Sequence, residues 1–163
     1  MELRKVCLIG DFAVGKTSLV RRFVSNIFSD DYITTVGVKV ETRLLTLDSG
    51  EEVKLVIWDM AGANALSSIS RSYLQGASGY LLVADGIRPE TFTTALALKH
   101  QVDSFLEEAP SVGLLNKHDL IGEWAISEAM QSEQTPMDYW HKTSALSGEG
   151  VEQAFYDLAQ AMR

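Results

Sequence analysis

The chain's 163 residues suit one domain with a sizeable core, and 46% hydrophobic with 22% charged residues is the composition of an ordinary globular fold. A formal net charge of −8 argues against a nucleic-acid partner, which needs a basic face, and against an anionic membrane surface. A single cysteine, Cys7, excludes an intrachain disulfide; no Cys/His cluster has zinc spacing, and the scattered His100, His118 and His141 read as surface or turn residues.

The start, "MELRKVCLIG", has no signal-peptide architecture, and Glu2 is incompatible with N-myristoylation. Its apolar run "VCLIG" (6–10) predicts a buried strand, and "KTSLVRRFV" (16–24) a helix with Leu19, Val20 and Phe23 on its inner face. Residues 37–59 read as two antiparallel strands joined by a turn at Asp48–Gly50. "GYLLVAD" (79–85) is a further apolar strand, and 89–109 a helix opened by Pro89. "VGLLN" (112–116) predicts a strand, 123–133 a short helix and 138–144 another strand. The last segment, 149–162, carries Val151, Phe155, Leu158 and Ala159 at helical spacing. No apolar run approaches the ~20 residues of a membrane span. No lipidation cysteine closes the chain at "LAQAMR", so a cytoplasmic protein without an anchor of its own is expected. Strand–helix alternation of this kind predicts a mostly parallel sheet with one antiparallel edge strand and helices on both faces. Ligands of such sheets bind outside the carboxyl ends of the strands.

Three motifs sit at such ends. "GDFAVGKT" (Gly10 to Thr17) follows a strand and opens a helix, as a phosphate-binding loop requires. Its glycines let backbone N–H groups point inward at phosphate oxygens. Gly10, Ala13, Val14, Gly15, Lys16, Thr17 and Ser18 are therefore the candidate phosphate contacts, with Lys16 reaching the β- and γ-phosphates and Thr17 ligating Mg²⁺. "NKHD" (Asn116 to Asp119) supplies the base: the Asp119 carboxylate can accept from the N1–H and amine of guanine, a donor pair adenine lacks. Asn116 would brace the loop, and the Lys117 stem would cover one face of the base. In "VIWDMAGAN" a strand delivers Asp59 to its tip, where it can hold Mg²⁺ through water, while Gly62 can turn its N–H to a γ-phosphate. Thr35, in the polar loop "FSDDYITTVG" (28–37), could close onto the same metal. "TSAL" (143–146) places Ser144, Ala145 and Leu146 by the base, with the Ala145 N–H facing the guanine carbonyl.

In this order and spacing these elements resemble the small GTPases of the Ras superfamily, the Rab-like branch most closely, over essentially the whole chain. The resemblance implies one G domain (1–163) with the P-loop NTPase fold, a six-stranded mostly parallel α/β sheet, that binds GTP or GDP with Mg²⁺. It implies that Phe28 stacks on guanine, that Thr35 senses the γ-phosphate, and that Trp58 and Tyr73 face effectors. Lys16, Thr35 and Gly62 would serve catalysis, and Thr17, Thr35 and Asp59 the metal. Effectors, exchange factors and activating proteins would meet a monomer at its two switch loops.

The departures from the family pattern are as informative. Ala63 stands where the family has a water-orienting glutamine, Asn64 replaces a glutamate and Met60 a threonine. Phe12 is bulky where Gly or Ser is common, Leu146 replaces a lysine beside the base, and Val40 replaces an effector-face phenylalanine. The motifs predict a guanine-nucleotide switch, and Ala63, with no side chain to orient the water, predicts hydrolysis that is slow or depends on a partner supplying the missing group. The alternative is a nucleotide-bound interaction module with essentially none, while "NKHD" disfavours an ATPase or kinase.

Overall fold

The computed structural model describes residues 2–25, 37–61, 71–127 and 140–162. Strand β1 (Glu2–Gly10) is longer than its apolar run. Its polar first residues are carried into the sheet by backbone pairing, with Glu2–Leu8 lying parallel to Val53–Asp59 of the later strand β3 (Glu52–Ala61). Strand β2 (Gly37–Thr46) runs antiparallel to β3, from Gly37 opposite Ala61 to Thr46 opposite Glu52. The turn between them is closed by Leu47 N–H on the Glu51 carbonyl and Gly50 N–H on the Leu47 carbonyl. Gly50 takes φ +86°, a left-handed conformation that costs glycine no Cβ clash.

Beyond β1 lie β4 (Gly79–Asp85), buried throughout, then β5 (Ser111–Asn116) and β6 (Trp140–Lys142), all parallel. The order β2-β3-β1-β4-β5-β6 gives six strands with the antiparallel one at an edge, as the sequence predicts. Alternation along β4 feeds two cores. Leu81 and Val83 join the cluster under α1 (Lys16–Ser25) and the C-terminal helix, where Phe23 stacks on Phe155 with centroids 3.9 Å apart. Tyr80, Leu82 and Ala84 join the other cluster, with Tyr73 and Leu74 of the one-turn helix α2 (Arg71–Leu74) and Phe92, Ala95, Leu98 and Val102 of α3 (Pro89–Phe105). The C-terminal helix is α4 (Val151–Ala161). Helices thus cover both faces, and each buried Leu or Phe contributes about 1.5–3 kcal/mol of apolar burial.

Two expectations change. The short helix predicted over 123–133 is absent across 124–127, and 128–133 lies outside the described residues. Instead a 3₁₀ turn spans His118–Glu123, and Trp124 turns extended. The Trp124 ring lies where a Cβ on Gly86 would sit, and Ala125 N–H donates to the Gly86 carbonyl at 2.8 Å, so tertiary packing straightens the chain. His141 is also not a surface residue: its side chain is 11% exposed, with Nε2 3.1 Å from Asp157. The strand predicted over 138–144 shortens to Trp140–Lys142, with 138 and 139 outside the described residues. Among the described residues no helix is long and apolar enough to cross a membrane.

Candidate functional site

The site assembles at the carboxyl ends of β1, β3, β4 and β5. After Gly10 the chain curls through Ala13, at φ +61°, and Gly15, at φ +103°, before α1 begins. A Cβ on Gly15 would stand 2.2 Å from Asn116 Nδ2, so this position has room only for glycine. Ala13 carries left-handed strain of about 1–2 kcal/mol, and such strain persists where the surroundings over-determine the backbone. Here they do. Three consecutive carbonyls accept from three side chains: Phe12 from Arg88 at 2.9 Å, Ala13 from Lys117 Nζ at 3.2 Å, and Val14 from Asn116 Nδ2 at 3.0 Å. A peptide's N–H points opposite its C=O, so carbonyls held outward leave N–H groups turned into the loop, an anion-binding concavity.

Lys16, 8% exposed, folds back so that Nζ donates to the Gly10 and Asp11 carbonyls at 2.9 and 3.0 Å. Burial pushes its amine below the ordinary lysine range, against the pull of Asp59 and Asp11. Asp59, 2% exposed, is brought beside α1 by β3; Thr17 Oγ1 donates to its Oδ2 at 2.6 Å. Burial raises the Asp59 pKa, opposed by the Thr17 hydrogen bond and Lys16. Its other oxygen, Oδ1, is buried with no hydrogen-bond partner among the described residues. A buried carboxylate oxygen left alone is costly and calls for a ligand. A hydroxyl and a carboxylate side by side form the hard-oxygen set that Mg²⁺ takes, with phosphate and water oxygens completing its octahedron. The residues therefore fit the metal.

The same loop also walls a pocket of about 340 Å³ lined by Ala13, Gly15, Ser18, Asn116, Lys117, Asp119, Leu120, Ala145 and Leu146. Asn116, 2% exposed, is braced on both sides, donating to Val14 and accepting from Thr143 Oγ1 at 3.2 Å. Lys117 stands at φ +69°. Asp119 Oδ1 accepts from Ser144 Oγ at 2.7 Å, and Ser144 Oγ accepts from Ser147 N–H, which fixes the two loops together. Arg22 of α1 donates to the Ala145 carbonyl at 2.8 Å and also to that of Leu146. Ala145 is buried, whereas Leu146 stays 51% exposed at the pocket's rim.

The positions predicted from sequence thus converge from Gly10 through Ser18, with Asp59, Asn116, Lys117, Asp119, Ser144, Ala145 and Leu146. Phe28, Thr35 and Gly62, with Ala63 and Asn64, lie outside the described residues. Tyr73 corrects an expectation: it does not face effectors. It is 3% exposed, because its hydroxyl donates inward to the Trp58 and Leu8 carbonyls at 2.6 and 3.1 Å. Trp58 stays half-buried with Lys5 Nζ 3.6 Å from its ring, and Val40 is 48% exposed.

Asp85 and Arg88 escaped the sequence reading. Asp85 is fully buried at the tip of β4; its Oδ2 accepts from Lys117 Nζ at 2.8 Å and Arg88 Nε at 2.9 Å, and Oδ1 from Ile87 N–H. Burial pushes its pKa up, but hydrogen bonds from Lys117 and Arg88 outweigh that and hold the carboxyl below the ordinary aspartate range. The available signal was an acid closing a wholly apolar strand, "GYLLVAD", as Asp59 closes another.

Comparison with known proteins agrees with this geometry. The sequence profile of the Ras family matches residues 5–163. The Ras-related protein Rab-7L1 of Rattus norvegicus is 34% identical over an alignment covering 99% of this chain and 82% of its own. The Ras-related protein Rab-10 of Caenorhabditis elegans is 34% identical, covering 98% and 81%, and RABA3 of Arabidopsis thaliana 35%, covering 96% and 67%. With the mixed sheet, the phosphate loop and the paired strand-end acids in place, the chain belongs to the Ras family of GTP-binding switches, which take GTP or GDP with Mg²⁺.

Proposed function

We propose that residues 1–163 act as one G domain, a trafficking or signalling switch in which the converging loops hold the guanine nucleotide and hydrolysis is slow. Backbone N–H groups from Ala13 to Ser18 cradle the phosphates, and Lys16 neutralises them. Thr17 and Asp59, with Thr35, hold Mg²⁺, which when bound offsets charge on the β- and γ-phosphate oxygens. Asp119 reads the guanine edge, Phe28 and the Lys117 stem flank the ring, and the Ala145 N–H meets its carbonyl. The observation that carries this reading is the Oδ1 of Asp59 beside Thr17, buried without a hydrogen-bond partner among the described residues, where α1 opens from a loop whose Ala13 and Gly15 also line the pocket of Asn116, Lys117 and Asp119. Gly62 supplies an N–H to the γ-phosphate, and effectors, exchange factors and activating proteins engage the two switch loops of a monomeric, cytoplasmic chain.

Slow turnover follows from Ala63, whose methyl group cannot orient an attacking water. Phe12 adds to this: its ring, 37% exposed, stands on the phosphate loop where an incoming arginine would enter. The test is single-turnover phosphate release from preloaded GTP in the parent, Ala63→Gln, Phe12→Gly and the double variant. Orienting groups of this kind contribute on the order of 10²-fold when the rest of the site is in place. A small gain is expected from Ala63→Gln alone and a larger, non-additive gain with Phe12→Gly, since by the family resemblance the two positions would flank one γ-phosphate. A double variant no faster than the parent would defeat the Ala63 explanation and favour an interaction module that hydrolyses essentially nothing.

A further inference from the structure

We propose that Arg88 is a positioning residue of the phosphate loop: by joining the buried Asp85 carboxylate to the Phe12 carbonyl, it sets how long a triphosphate is retained. The inference rests on reading Gly10 to Thr17 as the phosphate cradle, and it adds a control on that cradle from α3.

Arg88 is not placed to start its helix. It occupies the N-cap of α3 with extended dihedrals and makes no side-chain capping bond, where short polar residues are preferred. Thr91 does the local work instead, donating to the Arg88 carbonyl at 2.7 Å and accepting from Asp85 N–H at 2.8 Å. The guanidinium is left to span two acceptors with two nitrogens: Nε reaches Asp85 Oδ2 and the terminal NH2 reaches the Phe12 carbonyl, each at 2.9 Å. A planar fork with fixed spacing suits that bridge; a lysine would have to serve both acceptors from one nitrogen, as Lys117 does for Asp85 and the Ala13 carbonyl, without the spacing of the guanidinium.

Charge points the same way. Lys117 already pairs with Asp85 at 2.8 Å, so Asp85 does not need a second cation for neutrality. Two cations on one carboxylate leave a positive excess against the loop, in a chain whose net charge is −8. Of the three outward-held carbonyls, those of Ala13 and Val14 are tied by the base-side loop. Phe12, at the outer end of the series, is tied by Arg88. Without that tie, the peptide preceding the strained Ala13 loses a charge-assisted bond that orients it, and the N–H groups it orders are held less firmly toward the phosphates.

The experiment compares the parent with Arg88→Ala and Arg88→Lys, loaded with Mg²⁺ and fluorescent GDP or a non-hydrolysable GTP analogue. Loss of a charge-assisted bond to the loop should speed release of the GTP analogue about tenfold in Arg88→Ala. GDP release should rise less, since residue 12 lies toward the γ-phosphate end. Arg88→Lys should recover the melting temperature by restoring charge at Asp85, yet recover only part of the retention. The ³¹P resonances of bound nucleotide should move in Arg88→Ala. Guanine-over-xanthine preference should stay at the parent's value in both variants; if Asp119→Asn also leaves it there, the base reading fails separately. Unchanged release and ³¹P lines in Arg88→Ala would overturn the proposal, as would full recovery of retention by Arg88→Lys, which would make Arg88 a mere counter-charge.

Discussion

Replacing Asp85 by Asn removes one negative charge and changes little in shape, so it isolates what the carboxylate does. Asp85 is fully buried and accepts from Ile87 N–H at 3.0 Å, Arg88 Nε at 2.9 Å and Lys117 Nζ at 2.8 Å. The amide oxygen can keep Ile87, but an NH2 then faces two cations. Breaking a wholly buried ion pair costs about 3–5 kcal/mol. The Lys117 and Arg88 side chains are 32% and 36% exposed, so water relieves part of this and a loss of about 2–3 kcal/mol is expected. For a chain of this length that is a fall of about 5–10 °C in Tm, measured at fixed saturating GDP because bound ligand itself raises Tm. The pH dependence has a definite sign. The folded carboxyl is held below the ordinary value of 3.8, so its contribution is complete above that range and is lost as pH falls through the lowered folded value. The gap between parent and variant should stay constant from about pH 8 to 5 and shrink only below about pH 4. A loss under about 1 kcal/mol at pH 7, within the range of ordinary surface pairs, would refute Asp85 as the buried partner that holds Lys117 and Arg88. So would a gap that closes between pH 7 and 5.

Two further outcomes test the site. Asp119→Asn should weaken GTP binding and shift preference toward xanthine nucleotides, because an amide NH2 donates to the 2-oxo group where the carboxylate accepted from an amine. Competition between GTP and XTP decides this, and undiminished GTP binding would remove Asp119 as the base reader. Thr17→Asn should keep some GDP affinity while losing GTP and Mg²⁺ preferentially, since Thr17 would hold a metal whose charge the triphosphate needs more than the diphosphate does. Equal losses for both nucleotides would count against Thr17 as a metal ligand.

What the sequence made legible were features fixed by local chemistry. Apolar runs of strand length, Pro89 at a helix start and the turn at Asp48–Gly50 all signal themselves within a few residues. The motif residues were readable because their roles demand particular side chains at particular spacings. What escaped depends on distant partners. Arg88, paired to Asp85, meets Phe12 across more than seventy positions, and no local pattern marks an arginine that donates to a carbonyl there. Tyr73 was misplaced for the same reason: in sequence it is an aromatic after a switch, and only the fold supplies the Leu8 and Trp58 carbonyls that draw its hydroxyl inward. Trp124 ended a predicted helix because Gly86, from another strand end, leaves a gap for its ring.

The departures of this chain are unevenly spread over its site, and that asymmetry yields a last prediction. Lys16, Thr17, Asp59, Asn116, Lys117 and Asp119, the groups that would hold a nucleotide, keep the residue types their roles require. Arg22, Arg88 and Asp85 add further ties to the same loops. The substitutions gather at Phe12 and around Ala63, with Met60 and Asn64 beside it, while Leu146 at the base-side rim and Val40 on the effector face stand apart. A site that retains well and hydrolyses slowly should carry GTP through purification in proportion to its supply, since the bound nucleotide then reports loading more than turnover. Denaturing the purified protein and separating the released nucleotides gives the GTP:GDP ratio directly. A substantial GTP fraction is expected, rising in a variant that retains better and falling in the Phe12→Gly, Ala63→Gln double variant. Protein that emerges wholly with GDP, from cells in which GTP is the more abundant nucleotide, would mean that hydrolysis proceeds without the side chain missing at position 63. The water would then be oriented by backbone groups alone, and Ala63 would lose its place in the explanation.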